Sequence, residues 1–234
     1  SSRFAAPVLK ALLASKHKVA CVLTQPDKQK GRGLHFAGTV VKTLALESGI
    51  RIYQPYNVND ADAVKFLKDL NPDLFVVIAY GQILSSGILN IPKIFSINLH
   101  ASLLPKYRGA APINWALIKG EKITGITVMK MTEEMDAGPI IQQKEIGINN
   151  DDTSITLEDK LSHLAAHLLL TTLSSIENSN YNLIPQDENN VSFAPKLKKE
   201  DGQIDWNKPA CDIYNLIRGC ISWPGAFTYY NGKL

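Results

Sequence analysis

The run Leu74 to Ala79, Leu-Phe-Val-Val-Ile-Ala, constrains the fold more than any other stretch of the 234 residues. It is preceded by Asn71-Pro72 and closed by Tyr80-Gly81, so it is short, and it offers no polar side chain to water. A strand of that kind is covered on both faces, as in a parallel sheet packed between helices. The segments around it supply the layers. Lys42 to Ser48 and Asp60 to Leu70 carry the helical period, whereas Lys18 to Thr24 and Arg51 to Tyr53 read as short strands. This alternation predicts an α/β domain with a doubly wound, Rossmann-like parallel sheet.

In such sheets ligands bind beyond the carboxyl ends of the strands. Ile94 to Leu99 is a further β-rich run, and it exits into a loop forced by Pro105 and Gly109. With a period of two, Asn98 and His100 share a face, which sets an amide donor beside an imidazole at the strand's exit. A histidine near a strand end is usually a hydrogen-bonded structural residue, so the pair needs a third group. Gly125 to Met131 leads through Glu133-Glu134-Met135 into Asp136-Ala-Gly-Pro139, a turn by composition that sets Asp136 on a loop tip. Asn98, His100 and Asp136 on neighbouring loops form a constellation suited to acyl transfer, and they are the candidate catalytic residues.

Other chemistries are disfavoured by the sequence. Gly31-Arg-Gly33 falls short of a dinucleotide fingerprint, and no G-x-x-x-x-G-K-[ST] is present. His163 and His167 stand one helical turn apart but lack the H-E-x-x-H setting of a metal site, and no metal is expected. Hydrophobic residues make up 45% and charged residues 20%, ordinary globular usage that neither demands nor excludes nucleic acid at a net charge of +3. Cys21, Cys211 and Cys220 form no C-x-x-C pair, which argues for reduced thiols. With no apolar run of transmembrane length, the expectation is a cytoplasmic protein that does not engage membranes.

Organisation along the chain is uneven. Ser1-Ser2 reads as the N-cap of a helix over Phe4 to Ala14, an unusual opening for an α/β domain. Residues 1–182 form the first domain. Residues 183–200, rich in Asn, Gln, Lys and Pro, read as a linker. Residues 201–234 open a second domain, with a helix at Ala210 to Arg218 and a hairpin signal at Tyr229-Tyr-Asn-Gly-Lys233 whose returning strand is missing.

The run Asn-Leu-His-Ala-Ser-Leu-Leu-Pro-Lys-Tyr-Arg-Gly-Ala-Ala-Pro-Ile from Asn98, with Thr124-Gly-Ile-Thr-Val and Asp136-Ala-Gly-Pro-Ile, resembles the folate-dependent formyltransferases. Thr24 to Lys42 and Trp206 to Thr228 narrow the likeness to the branch acting on tRNA. The resemblance implies 10-formyltetrahydrofolate as formyl donor, initiator methionyl-tRNA as acceptor and, in the natural protein, a strand ahead of the first helix; a monomer is expected. It implies a catalytic role for Asn98, His100 and Asp136. It further implies a folate pocket lined by Ile83, Leu84 and the wall Ser102, Leu103, Leu104 and Pro105, and a second domain that is the start of a β-barrel of the oligonucleotide-binding type. The long basic loop after Gln25 would enter the acceptor stem through Lys28, Lys30, Arg32 and Lys42; with little apolar surface to bury, it is expected to be mobile. A sugar-nucleotide or purine-pathway formyltransferase would use the same trio. A tRNA-binding module without catalysis would leave the trio without a purpose.

Overall fold

The computed structural model describes residues 3–30 and 35–230. Helix α1 (Ala5–Leu13) opens the fold with Phe4 at its N-cap, and Ser1-Ser2 lie outside the described residues. Strand β1 (Val22–Leu23) follows, then β2 (Lys28–Lys30), β3 (His35–Ala37), α2 (Val40–Glu47) and β4 (Ile52–Tyr53). Helix α3 (Ala61–Asp69), strand β5 (Leu74–Val77) and the short α4 (Ser86–Leu89) lead to β6 (Phe95–His100) and α5 (Pro112–Ile118). The chain continues through β7 (Ile123–Lys130), β8 (Ile140–Gly147), the long α6 (Ser154–Glu177) and α7 (Ala210–Gly219).

Two strand pairs are parallel, as the Rossmann-like reading requires: β1 with β4, and β5 with β6. Beyond β6 the sheet becomes antiparallel, in the order β5-β6-β7-β8. Alternation of helix and strand predicted only the parallel part. Strands β7 and β8 are joined directly by the loop carrying Asp136, without a crossover helix, so they must run antiparallel.

The apolar run that anchors the sheet is sandwiched as its composition demands. Leu74 and Val76 pack into a core built from β6, β7, α1, α5 and α6, while Phe75 and Val77 pack into another with Leu67, Ile88 and Leu89 of α3 and α4. Each of the four stays half-buried because β5 is the edge of its four-stranded sheet. Deeper in, Ile97, Ile126, Val128, Leu157, Leu161 and Leu169 are fully enclosed. Each such side chain contributes about 1.5–3 kcal/mol through burial, and together they fix the floor beneath β6.

Three expectations change in detail. The stretch after Gln25 is a β-hairpin: β2 and β3 pair antiparallel, with Lys28 opposite Ala37 and Lys30 opposite His35, and the tip containing Arg32 lies outside the described residues. Backbone pairing joins the two short strands on either side of it.

The segment 183–200 is no free tether. Ile184 exchanges backbone hydrogen bonds with Ile140, Phe193 bridges Arg108, and Ala194 and Leu197 are buried. Backbone pairing and a few buried apolar groups dock it despite its polar composition.

The second segment presents α7, packed on α5, and a bridge between Gln203 and Phe227. Residues 231–234 of the hairpin signal lie outside the described residues. Gly219 fits against α5 closely: a Cβ there would stand 2.6 Å from Ile118 Cγ1. Asn114 Nδ2 donates to the Gly219 carbonyl at 2.8 Å.

Candidate active site

The pairing of β6 with β7 sets Asn98 opposite Met129 and His100 opposite Thr127, so both polar side chains leave the sheet at one edge, near the turn after β7. Asp136 comes back from that turn. Its Oδ1 accepts the Asn98 amide at 3.3 Å and its Oδ2 lies 3.5 Å from His100 Nδ1. His100 is 5% exposed, and its Nε2 stands 2.8 Å from the Tyr107 carbonyl, which can only accept. The tautomer matching this contact carries its proton on Nε2 and leaves Nδ1 towards Asp136.

Backbone strain gathers here. Ala79, Tyr107 and Asp136 take φ of 42°, 64° and 53°, and Ser222 takes 77°. Left-handed conformations in residues other than glycine are costly and persist where surroundings over-determine them, commonly at functional sites. Ala79, Asp136 and Ser222 line the same cleft, and Tyr107 supplies the carbonyl facing His100.

That cleft has a volume of about 800 Å³, at the upper end of the range for small-molecule sites. Asn98, His100 and Asp136 all border it, as do Tyr80 and Gly81 from the end of β5. Ile83 and Leu84 line it too, Ile83 exposed and Leu84 buried in the α3–α4 core. Its far wall is Lys196, Ile221 and Trp223, so the second segment completes the site.

Ser102, Leu103, Leu104 and Pro105, the wall implied by the resemblance, lie below the cleft and are not among the residues bordering it. Ser102 turns inward and donates to the Lys106 carbonyl at 2.6 Å, while the Leu104 amide donates to Thr127 Oγ1 at 3.1 Å. Leu104 packs with Met129 and Ile140. The chain dives beneath the site after Ala101, and the cleft wall resumes at Gly109 to Pro112.

Among the basic residues, Lys28 and Lys30 lie on the hairpin and Lys42 is committed to Asp27 through a salt bridge. Hydrogen bonds from Gln54 and Lys42 hold the Asp27 carboxyl below its ordinary range. Among the described residues no group of three or more His, Cys, Asp or Glu is arranged to hold a metal ion.

Two residues of the site went unread in the sequence. Arg108 is 3% exposed, and its guanidinium donates to Gln186 Oε1 and to Glu188. Gln186 Nε2 in turn donates to the carbonyls of Asp136 and Gly138, both at 2.8 Å. The available signal was weak: Pro185-Gln-Asp187 breaks an otherwise featureless polar stretch, and Asp187 caps a short 3₁₀ turn.

Residues 1–173 match the profile of the formyl transferase family and residues 196–234 that of the formyl transferase C-terminal domain. The fold and site thus define a formyltransferase. A methionyl-tRNA formyltransferase of Thermodesulfovibrio yellowstonii is 50% identical over 226 residues, covering 97% of this chain and 73% of that protein. Another, from Caldanaerobacter subterraneus subsp. tengcongensis, is 49% identical over 234 residues, 99% of this chain and 75% of the relative. The chain belongs to the methionyl-tRNA formyltransferase family.

Among solved structures, an N-formyltransferase of Helicobacter canadensis, in complex with folinic acid and dTDP-3-aminofucose, superposes with a TM-score of 0.74 at 21% identity, covering 98% of this chain and 81% of that one. HypX from Aquifex aeolicus in complex with tetrahydrofolic acid gives a TM-score of 0.66 at 19% identity, over 90% of this chain and 36% of that one. At these identities the likeness is one of fold.

Proposed function

We propose that this protein transfers the formyl group of 10-formyltetrahydrofolate to the α-amino group of methionine on initiator tRNA. The observation that carries the reading is the convergence of Asn98, His100 and Asp136 at one end of the cleft. Its volume and the apolar side chains of Ile83, Leu84 and Met131 suit a flat heterocycle, and curated relatives sharing about half of the sequence are named for methionyl-tRNA.

Attack of the neutral amine on the formyl carbon builds negative charge on the formyl oxygen. Asn98 Nδ2 spends one hydrogen on Asp136 and has a second for that oxygen. A preorganised donor of this kind is worth on the order of 3 kcal/mol in comparable acyl transfers. His100 takes the proton released by the amine and returns it to the departing folate nitrogen. The Tyr107 carbonyl accepts from Nε2 and sets the ring's orientation before substrate arrives, and Asp136 pairs with Nδ1 once that nitrogen has taken the proton. Lys28 and Lys30 on the hairpin, together with Arg32, hold tRNA phosphates. Lys42, paired with Asp27 at the base of that hairpin, adds a fourth cation to the same surface.

The test is formyl transfer by the full-length protein from 10-formyltetrahydrofolate to methionyl initiator tRNA, beside amino-sugar nucleotides and glycinamide ribonucleotide. Rapid formylation of the charged tRNA alone supports the assignment. Rapid formylation of a small amine, with the tRNA ignored, overturns the acceptor and retains the chemistry.

A further inference from the structure

The catalytic turn is held by a residue 50 positions further along the chain. We infer that Gln186 is a positioning residue for Asp136, acting as a two-way clamp between the buried Arg108 guanidinium and the backbone of the turn; the inference rests on the catalytic role given to Asp136 above.

The clamp is built from an amide used at both ends. Gln186 Oε1 accepts from Arg108 Nε at 3.0 Å and from Arg108 Nη2 at 2.8 Å. Its Nε2 spends both hydrogens, one on the Asp136 carbonyl and one on the Gly138 carbonyl. Arg108 is itself fixed, paired with Glu188 at 2.7 Å. The turn benefits from such a hold because Asp136 sits at a φ of 53°, left-handed backbone that is sparsely populated outside glycine even though Asp tolerates it better than most residues. The carbonyl that Gln186 grips belongs to the same residue whose carboxylate touches His100 and Asn98, so rotation of that residue would withdraw both contacts.

Only an amide satisfies both ends. A carboxylate at this position keeps Arg108 paired, with added charge complementarity, but turns an acceptor towards two carbonyl oxygens. Gln186→Glu therefore separates support of Arg108 from support of Asp136. Gln186→Met removes both at similar length.

The experiment measures steady-state formylation of methionyl initiator tRNA by full-length wild type, Q186E, Q186M and D136N, with thermal melts and pH profiles of kcat. The clamp predicts that Q186E keeps the wild-type melting temperature and the KM for both substrates within about twofold. Its kcat falls tenfold or more, to the level of Q186M, and the limbs of its pH profile move because the His100–Asp136 contact is loosened. A Q186E protein with wild-type kcat and pH profile, beside an inactive D136N and a destabilised Q186M, overturns the clamp and leaves Gln186 as structural support for Arg108. An active D136N instead overturns the role of Asp136 on which the inference rests.

Discussion

The Gly109 amide donates to Asp136 Oδ2 at 2.9 Å, using the same oxygen that faces His100 Nδ1. One carboxylate thus joins the loop after β6 to the turn after β7. Gly109 reaches it with a φ of 125°, a conformation closed to residues with a Cβ. A methyl group there would also stand 2.7 Å from the Ala194 carbonyl oxygen.

Gly109→Ala is accordingly expected to destabilise the protein by on the order of 3 kcal/mol through backbone strain and overlap with Ala194. A thermal melt reads the loss directly. A melting temperature equal to that of the wild type would show that the loop accommodates the methyl group.

Asn98→Ala should lower kcat about a hundredfold with little change in KM, because its second amide hydrogen is used by charge that develops only in the transition state. Asn98→Asp should be at least as damaging, since it places a second carboxylate beside Asp136. Steady-state kinetics with saturating folate separates the two constants. A rise in KM at constant kcat would recast Asn98 as a binding group.

Replacing Lys28, Lys30 and Arg32 together with Gln should weaken tRNA binding and flatten its salt dependence. If each neutralises one phosphate, the slope of log affinity against log salt falls by roughly 2–3. Turnover of bound tRNA should change little. Binding isotherms at several salt concentrations provide the measurement, and an unchanged slope would remove these cations from the interface.

Asp152 gives the fold an acid-sensitive joint at the start of α6. Burial alone would raise its pKa, but hydrogen bonds from Lys160, the Asn149 amide and Thr156 outweigh that effect and hold it below the ordinary 3.8. A lowered folded-state pKa stabilises the native protein above the unfolded value, and that contribution is lost as pH falls through the folded value. Asp152→Asn should reduce stability at neutral pH and flatten the decline below about pH 4. Denaturant midpoints across pH 3 to 7 check both, and parallel curves for mutant and wild type would refute the assignment.

Local pattern made part of this site legible and left the rest unreadable. Asn98 and His100 were found because a strand's period of two places them on one face, and Asp136 because Asp-x-Gly-Pro is a turn wherever it occurs. The apolar run at Leu74 to Val77 announced its own two-sided packing. Gln186 announced nothing, and Trp223 stood out only as part of the stretch Trp206 to Thr228 that carries the resemblance. Their importance comes from where a distant part of the chain docks, and an amide in an Asn- and Gln-rich stretch looks the same docked or free. Arg108 was hidden for a related reason: a cation in a basic loop reads as solvated, and only the fold brings Gln186 and Glu188 to cover it. The small and apolar character of Ser102 to Pro105 suits a pocket wall and a packed floor equally well, so composition left their packing unread.

The docked strap after α6 also bears on how the protein is made. Asp136 and Gln186 are 50 residues apart, so a ribosome adding about 5–20 residues per second leaves the catalytic turn without its anchor for roughly 3–10 seconds. Ile221 and Trp223, which close the cleft, are made later still. The nascent chain therefore lays down Asn98, His100 and Asp136 well before the residues that enclose them.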